Sequence, residues 1–211
     1  MPTITSLEPI KRQKAWYELR LDDGVTFAVN DELILKYILK TGKALKDDEI
    51  SKIRQRAEYL FLKKKALDIL ARRRITEKEM RRKLQAIKSC AHHADKVISD
   101  LKEHGYIDDY SFAVNLIHTV QAGSPRSIRY ISQKLYLKGV PSEIAQKAMN
   151  DELGDYNEHE AARKLAQRKY KTVANLPKLR AKKRIADYLR TRGFNWDVVN
   201  EALNELFADI N

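Results

Sequence analysis

A single cysteine, Cys90, leaves this sequence without the partner needed for an internal disulfide or a thiolate metal centre, in keeping with a reducing compartment. It has no run of about 18 apolar residues to span a bilayer. The N-terminus lacks the charged, apolar, small-residue order of a signal peptide. A cytosolic protein without a membrane partner is the expectation. Neither standard spacing of a glycine-rich phosphate loop occurs, so nucleotide hydrolysis by this chain is not expected. No convergent catalytic constellation is visible, and neither an enzymatic role nor a cofactor is expected. Asp108 and Asp109 are adjacent carboxylates, but they immediately precede an apolar-periodic segment, where a helix cap and a first-turn acid belong. His92 and His93 are neighbours rather than i, i+4, so on a helix they diverge by about 100° and make a poor zinc pair. A surface or helix-start role is expected of them.

Charge is abundant and uneven. The net charge is +12, yet residues 63–88 hold eleven Lys or Arg against three acids, and residues 160–192 hold twelve against two. The remainder is therefore net acidic, with acids gathered at Asp151, Glu152, Asp155 and Glu158 and again at Asp197, Glu201, Glu205 and Asp209. Segregation of this kind points to a basic face that meets phosphate, where each neutralised phosphate releases counterions.

Period-two patterning is confined to the N-terminal part. Ala15, Tyr17, Leu19 and Leu21 alternate with Trp16, Glu18 and Arg20, and Val25, Phe27 and Val29 follow. Asp23 and Gly24 between them predict a type I′ hairpin turn. The stretch around Ile4, Ser6 and Glu8 predicts a third, edge strand, where Pro9 is tolerated. A short helix after Asn30 is expected to place Leu33, Ile34, Tyr37 and Ile38 on one face and to close at Gly42. A longer helix is expected from near Asp47.

From about Ala57 onward the pattern is helical and repetitive. The segment 134–140 recurs 54 positions later, with Leu135, Gly139 and Val140 matched by Leu189, Gly193 and Phe194, and a weaker copy without the glycine lies around Leu84. Spacing near 50 predicts three helices per repeat. In the first repeat, Tyr59, Leu62, Ala66 and Ile69 share a helix ending in Arg72, Arg73 and Arg74, where cations suit the negative pole. Thr76 and Glu79 form a capping box for a second helix. Val97, Ile98 and Leu101 mark a third, stopped by Gly105. In the second repeat, Ala113, Leu116 and Ile117 mark one helix. Ser124 with Pro125 is expected to open the next, lined by Ile128, Ile131 and Leu135, and Pro141 the third. In the third repeat, Ala161 and Leu165, Ala181, Ile185 and Leu189, and Val198, Ala202 and Leu206 mark three more. The expected fold is mainly α, with tandem three-helix, helix-turn-helix-like repeats forming an elongated curved solenoid behind a small N-terminal β-hairpin/α extension. The expected boundaries are 1–56, 57–107, 108–154 and 155–211.

This arrangement resembles the bacterial RecX regulators of the RecA recombinase. The residues that carry the resemblance are Ala66-Leu67-Asp68-Ile69-Leu70 with Arg72 to Arg74, Thr76-Glu77-Lys78-Glu79-Met80, Gly105-Tyr106-Ile107-Asp108-Asp109 with Phe112-Ala113, and the segment 135–139. It covers about residues 57–207, and a glycine missing between Ile87 and Ala91 is its one departure. The resemblance implies a regulator that binds RecA and the RecA–DNA filament, and lowers recombinase, ATPase and co-protease activity in recombinational repair and the SOS response. Salt-dependent contact with single-stranded and also double-stranded DNA would accompany it.

The candidate contacts are Arg72, Arg73 and Arg74 at the end of the first helix and, on the second helices, Lys78, Arg81, Arg82 and Lys83; Arg126, Arg129 and Lys134; and Lys178, Arg180, Lys182, Lys183 and Arg184. Tyr130 and Tyr136 are the aromatics expected at the surface, the others being packing. The acidic clusters would meet basic surfaces of RecA. A monomer is expected, since no sustained heptad or apolar stripe calls for a partner chain. Composition and periodicity alone equally fit a sequence-specific transcription factor with repeated helix-turn-helix units, or a helical adaptor that binds only protein; a nuclease is a more remote alternative.

Overall fold

The computed structural model describes residues 1–11 and 13–208. The N-terminal sheet has the order β1 (Ile4–Pro9), β2 (Trp16–Leu21), β3 (Thr26–Asn30), both pairs antiparallel. β1 is the expected edge strand, and it ends at Pro9, opposite Tyr17. The hairpin turn differs from expectation. Gly24 (φ +85°) alone has positive φ in the turn, Gly24 N–H donates to Leu21 O, and Leu21 N–H donates to Val25 O. That is a three-residue turn closed by a left-handed glycine rather than a type I′ pair, and Asp23 Oδ1 instead accepts from Val25 N–H. Ala15 sits at φ +63°, so β2 starts one residue later than the alternation implied. Trp16, placed on the polar face by that alternation, is buried with its ring edge against Phe61, 5.2 Å between centroids.

Helix α1 (Asp31–Tyr37) is capped by Asn30 Oδ1, which accepts from Leu33 N–H, and buries Leu33. It closes at Ile38 in the left-handed region, not at Gly42, and Ile38 is exposed instead of sharing the apolar face. Gly42 turns the chain back to the sheet, its N–H donating to Ile4 O. The helix expected from Asp47 and the first helix of repeat one are a single element, α2 (Asp47–Leu70), so position 57 lies inside it. Arg72, Arg73 and Arg74 lie beyond its last residue. Ile4, Leu19, Leu21, Val29 and Leu33 form one core with Ile53 and Ala57 of α2.

The remaining helices are α3 (Glu77–Gln85), a 3-10 helix (Lys88–His93), α4 (Ala94–Glu103), α5 (Asp109–Gly123), α6 (Ile128–Lys138), α7 (Ser142–Leu153), α8 (Glu158–Tyr170), α9 (Lys178–Arg190) and α10 (Trp196–Ala208). The chain divides into two compact units. Residues 1–74 and 80–106 make the first, and residues 75–79 and 107–211 the second.

In the first unit α4 is tied to α2 by Asp100, which accepts from Tyr59 Oη at 2.8 Å and pairs with Lys63 Nζ at 2.6 Å. The lysine first, then the tyrosine, holds the Asp100 carboxyl below its ordinary range. Burial and the bond to Asp100 push the Tyr59 phenol from 10.0 to about 12. In the second unit two cores join through Tyr156, which packs against both. One is built on Ala113, Ile117, Ile131 and Leu135, the other on Leu165, Ile185, Leu189 and Phe194.

The repeats meet through a recurring junction. Thr76 is buried at the start of α3, where its hydroxyl accepts from Glu79 N–H (3.3 Å) and donates to Lys138 O at the end of α6 (2.8 Å). Asp109, the first residue of α5, accepts from Glu77 N–H, the first of α3, at 2.8 Å. One repeat later Ser127, not Ser124, caps α6 and accepts from Tyr130 N–H, while its own N–H donates to Arg192 O near the end of α9. Glu158, the first residue of α8, accepts from Ile128 N–H, the first of α6. Ser124 ends α5 in extended backbone, and its hydroxyl instead accepts from Arg192 Nε. The glycines admit this approach. A Cβ on Gly139 would lie 2.7 Å from Lys78 Cδ, and one on Gly193 would lie 2.5 Å from Ser127 Oγ and 2.7 Å from Tyr130 Cβ.

Two outcomes are expected. Gly193→Ala combines left-handed strain with a clash against a cap and a Cβ, and should lower stability by about 2–4 kcal/mol. Gly105→Ala, at φ +70° with open space around it, should lower it by about 1 kcal/mol. Urea denaturation of both variants checks the order. For Tyr59 the folded pKa lies above the unfolded one, so its contribution is complete below pH 10 and is lost as pH rises towards 12. Relative to Tyr59→Phe, the native chain should lose up to about 2 kcal/mol across that window in alkaline urea titrations. An unchanged difference would contradict the assignment.

Candidate nucleic-acid interface

The candidate cations fall in four places: the link after α2, helix α3, helix α6 with the turn before it, and helix α9. Arg72, Arg73 and Arg74 are exposed in the link between α2 and α3. On α3, Lys78 and Arg82 are exposed, whereas Lys83 and Arg81 are half-buried, the latter paired with Asp95. The stem of Lys78 lies along Gly139, so this lysine also belongs to the repeat junction. On α6, Arg129 is exposed. Arg126 and Lys134 hold their cations over the ring of Tyr130, at 4.8 and 5.4 Å from its centroid. Arg126 also donates from Nη1 to Thr191 O, so it serves the carbonyl end of α9. On α9, Lys178 and Lys182, one turn apart, lie over Phe207 of α10 at 5.9 and 5.1 Å. Arg180, Lys183 and Arg184 are exposed.

Capping places these helices in register, and the register exposes an equivalence that charge counts miss. Counting seven positions from the residue before each second helix, Thr76, Ser127 and Pro177, gives Lys83, Lys134 and Arg184. Each is followed by a fully buried aliphatic residue, Leu84, Leu135 or Ile185. Counted from the helix start, the three second helices therefore carry a cation at the same turn; counted back from the closing glycine, Leu135 is matched by Leu189 instead, because α9 is longer than α6. The signal was available in the sequence only to a count that began at the correct cap, and the choice of Ser124 displaced it by three.

Tyr136 is 75% exposed, as expected. Tyr130 is half-buried between two cations and against Gly193, which makes it a junction residue. Tyr106 and Trp196, expected as packing, are more than half exposed, and Leu137 and Leu179 join them at the surface of the second helices. Arg192, part of the second basic block, is structural. It lies 3.5 Å over Tyr188, donates to Tyr188 O and Ser124 Oγ, and is pulled below its ordinary pKa by burial.

Much of the first acidic cluster, and Glu201 of the second, is engaged within the fold. Asp151 accepts from Tyr110 Oη at 2.8 Å, Glu152 meets His118 at 2.5 Å, Glu158 caps α6 and Glu160 pairs with Lys164 at 2.7 Å. Glu201 meets His159 at 2.5 Å. Asp209 lies outside the described residues. Asp108 caps α5 by accepting from Tyr110 and Ser111 N–H, and Asp109 caps α3, so this pair has the capping role expected of it and extends it to a second helix. Among the described residues no helix is long and apolar enough to cross a membrane.

Two family models match the sequence: the second three-helix domain of RecX over residues 108–149 and the third over residues 156–203. These spans fall on α5–α7 and α8–α10. The regulatory protein RecX of Clostridium acetobutylicum is 30% identical over 213 residues, covering 99% of this chain and 98% of that one. That of Clostridioides difficile is 29% identical over 206 residues, 98% of this chain and 96% of the other. A crystal structure of regulatory protein RecX superposes with a TM-score of 0.64 at 24% identity, over 95% of this chain and 98% of that one. RecX from Lactobacillus salivarius gives 0.60 at 23% identity, over 72% and 97%. The structural likeness shows the shared fold, and the near end-to-end sequence match shows more: this chain belongs to the RecX family of regulatory proteins.

Proposed function

We propose that this chain binds the RecA–DNA filament and lowers the recombinase, ATPase and co-protease activities of RecA, so modulating recombinational repair and the SOS response. Family membership supports RecA as the target. The recurrence of Lys83, Lys134 and Arg184 at one position of successive second helices is the observation that carries the reading. Cations repeated at a fixed place in a repeated fold suit a target whose phosphates and subunits also repeat. Arg72, Arg74 and Arg82 are exposed in the first unit and Arg129, Arg180 and Lys183 in the second, and Tyr136 beside Leu137 offers a flat apolar contact.

The test is the ATPase of RecA on single-stranded DNA, titrated with this chain below one per RecA. Inhibition, together with binding to preformed filaments, is the expected result, and the absence of both would overturn the reading. The triple reversal Lys83→Glu, Lys134→Glu and Arg184→Glu should weaken binding. It should also reduce the slope of log affinity against log salt by about 2, near 0.7 for each lost single-strand phosphate contact. Binding measured by anisotropy at four salt concentrations checks it. An unchanged slope in a variant of native helicity would exclude these three cations from the interface.

A further inference from the structure

We propose that Glu58, His92 and His93 form a binding site for a divalent transition-metal ion of the zinc type, lying within the first unit. The histidines are adjacent, which on a regular helix would separate their rings. Here they close a 3-10 helix, and His93 is itself the residue before α4, at φ −90° and ψ −3°. The rings come together, 4.1 Å between centroids and tilted by 43°. Both Nε2 atoms approach one carboxylate oxygen, Glu58 Oε2, at 3.3 Å from His92 and 3.8 Å from His93. One donor atom from each of the three residues lies within 4.8 Å of the other two. Ligands at ~2.0–2.1 Å around a tetrahedral zinc ion stand roughly 3.3–3.4 Å apart, so a small side-chain adjustment completes the set.

Two further observations point to a ligand. His93 Nε2 is buried and has no hydrogen-bond partner among the described residues, a costly state for an imidazole nitrogen. Arg54 Nε binds the other oxygen of Glu58 at 3.0 Å, which fixes the carboxylate with Oε2 directed at the imidazoles, as outer-shell partners of metal ligands do. Two imidazoles and one carboxylate select zinc, nickel or copper over magnesium or calcium. His92 keeps 59% of its side chain exposed, so the site opens to solvent and a water molecule would be the fourth ligand. A bound ion would clamp the 3-10 helix onto α2.

The full-length chain, stripped with chelator, is titrated with Zn2+ by calorimetry and with Co2+ by visible absorption. His92→Ala, a surface change, and Glu58→Gln are compared with a control in which His104, His118 and His159 are all replaced by Ala. One Zn2+ per chain, a raised thermal midpoint, and affinity weakened at least about tenfold in both site variants but kept in the control is the expected result. Circular dichroism establishes that each variant is folded. No saturable binding would overturn the proposal and leave Glu58 as an ion-pair partner of the histidines. Binding retained by His92→Ala and Glu58→Gln, or lost in the control, would overturn it equally.

Discussion

The second unit depends on one interaction made twice, in which the start of a second helix closes on the glycine-ended second helix of the following repeat. Each half of it answers a backbone problem. The first N–H groups of a helix and the last carbonyls have no partner within the helix. Thr76 and Ser127 each accept an N–H of their own helix, while Asp109 and Glu158 reach across to take the N–H of Glu77 and Ile128. Across the same gap, Lys138 O accepts from the Thr76 hydroxyl and Arg192 O from Ser127 N–H. Orphan groups of two repeats are thereby satisfied by each other, and at 139 and 193, where the backbone already has positive φ, a Cβ would press on the Lys78 side chain and on Ser127 Oγ and Tyr130 Cβ.

The junction also accounts for where the repeat pattern fails. Four positions after Leu84 the equivalent of Gly139 is Lys88, which opens the 3-10 helix. Among the described residues no preceding three-helix repeat presents a cap to that point, so no such contact requires a glycine there. At the start of α9 the equivalent of Thr76 and Ser127 is Pro177, which offers no hydroxyl. The glycine missing from the first repeat is thus not a defect of the pattern. It marks a position where no junction is made.

Much of the helical order was legible because it rests on local chemistry: apolar spacing for Leu165 or Ile185, Gly105 and Gly139 at helix ends, Asp108 at a start. What was not legible depends on partners distant in sequence. Ser124 followed by Pro125 is the better local cap, yet Ser127 holds the role because its backbone reaches Arg192. Trp16 reads as the polar face of a strand until Phe61 of α2 covers it. Position 57 reads as a beginning because the repeat starts there, whereas α2 runs through it from Asp47 to serve the sheet as well. Type I′ geometry at Asp23 failed for a simpler reason, since a three-residue turn needs only Gly24 at positive φ.

The basic candidates divide by the same distinction between local and distant. A charge count treats Arg126, Arg192 and Arg129 alike, but the first two spend their guanidinium groups on Thr191 O, Tyr188 O and Ser124, inside the packing of the second and third repeats. Charge that stabilises the array is not available to a ligand without weakening the array. Sensitivity to salt should therefore follow the exposed and repeat-equivalent cations, while the stability of the second unit follows Arg126 and Arg192. The net charge of the chain overstates the cations left for the proposed interface, and the junction defines the part to subtract.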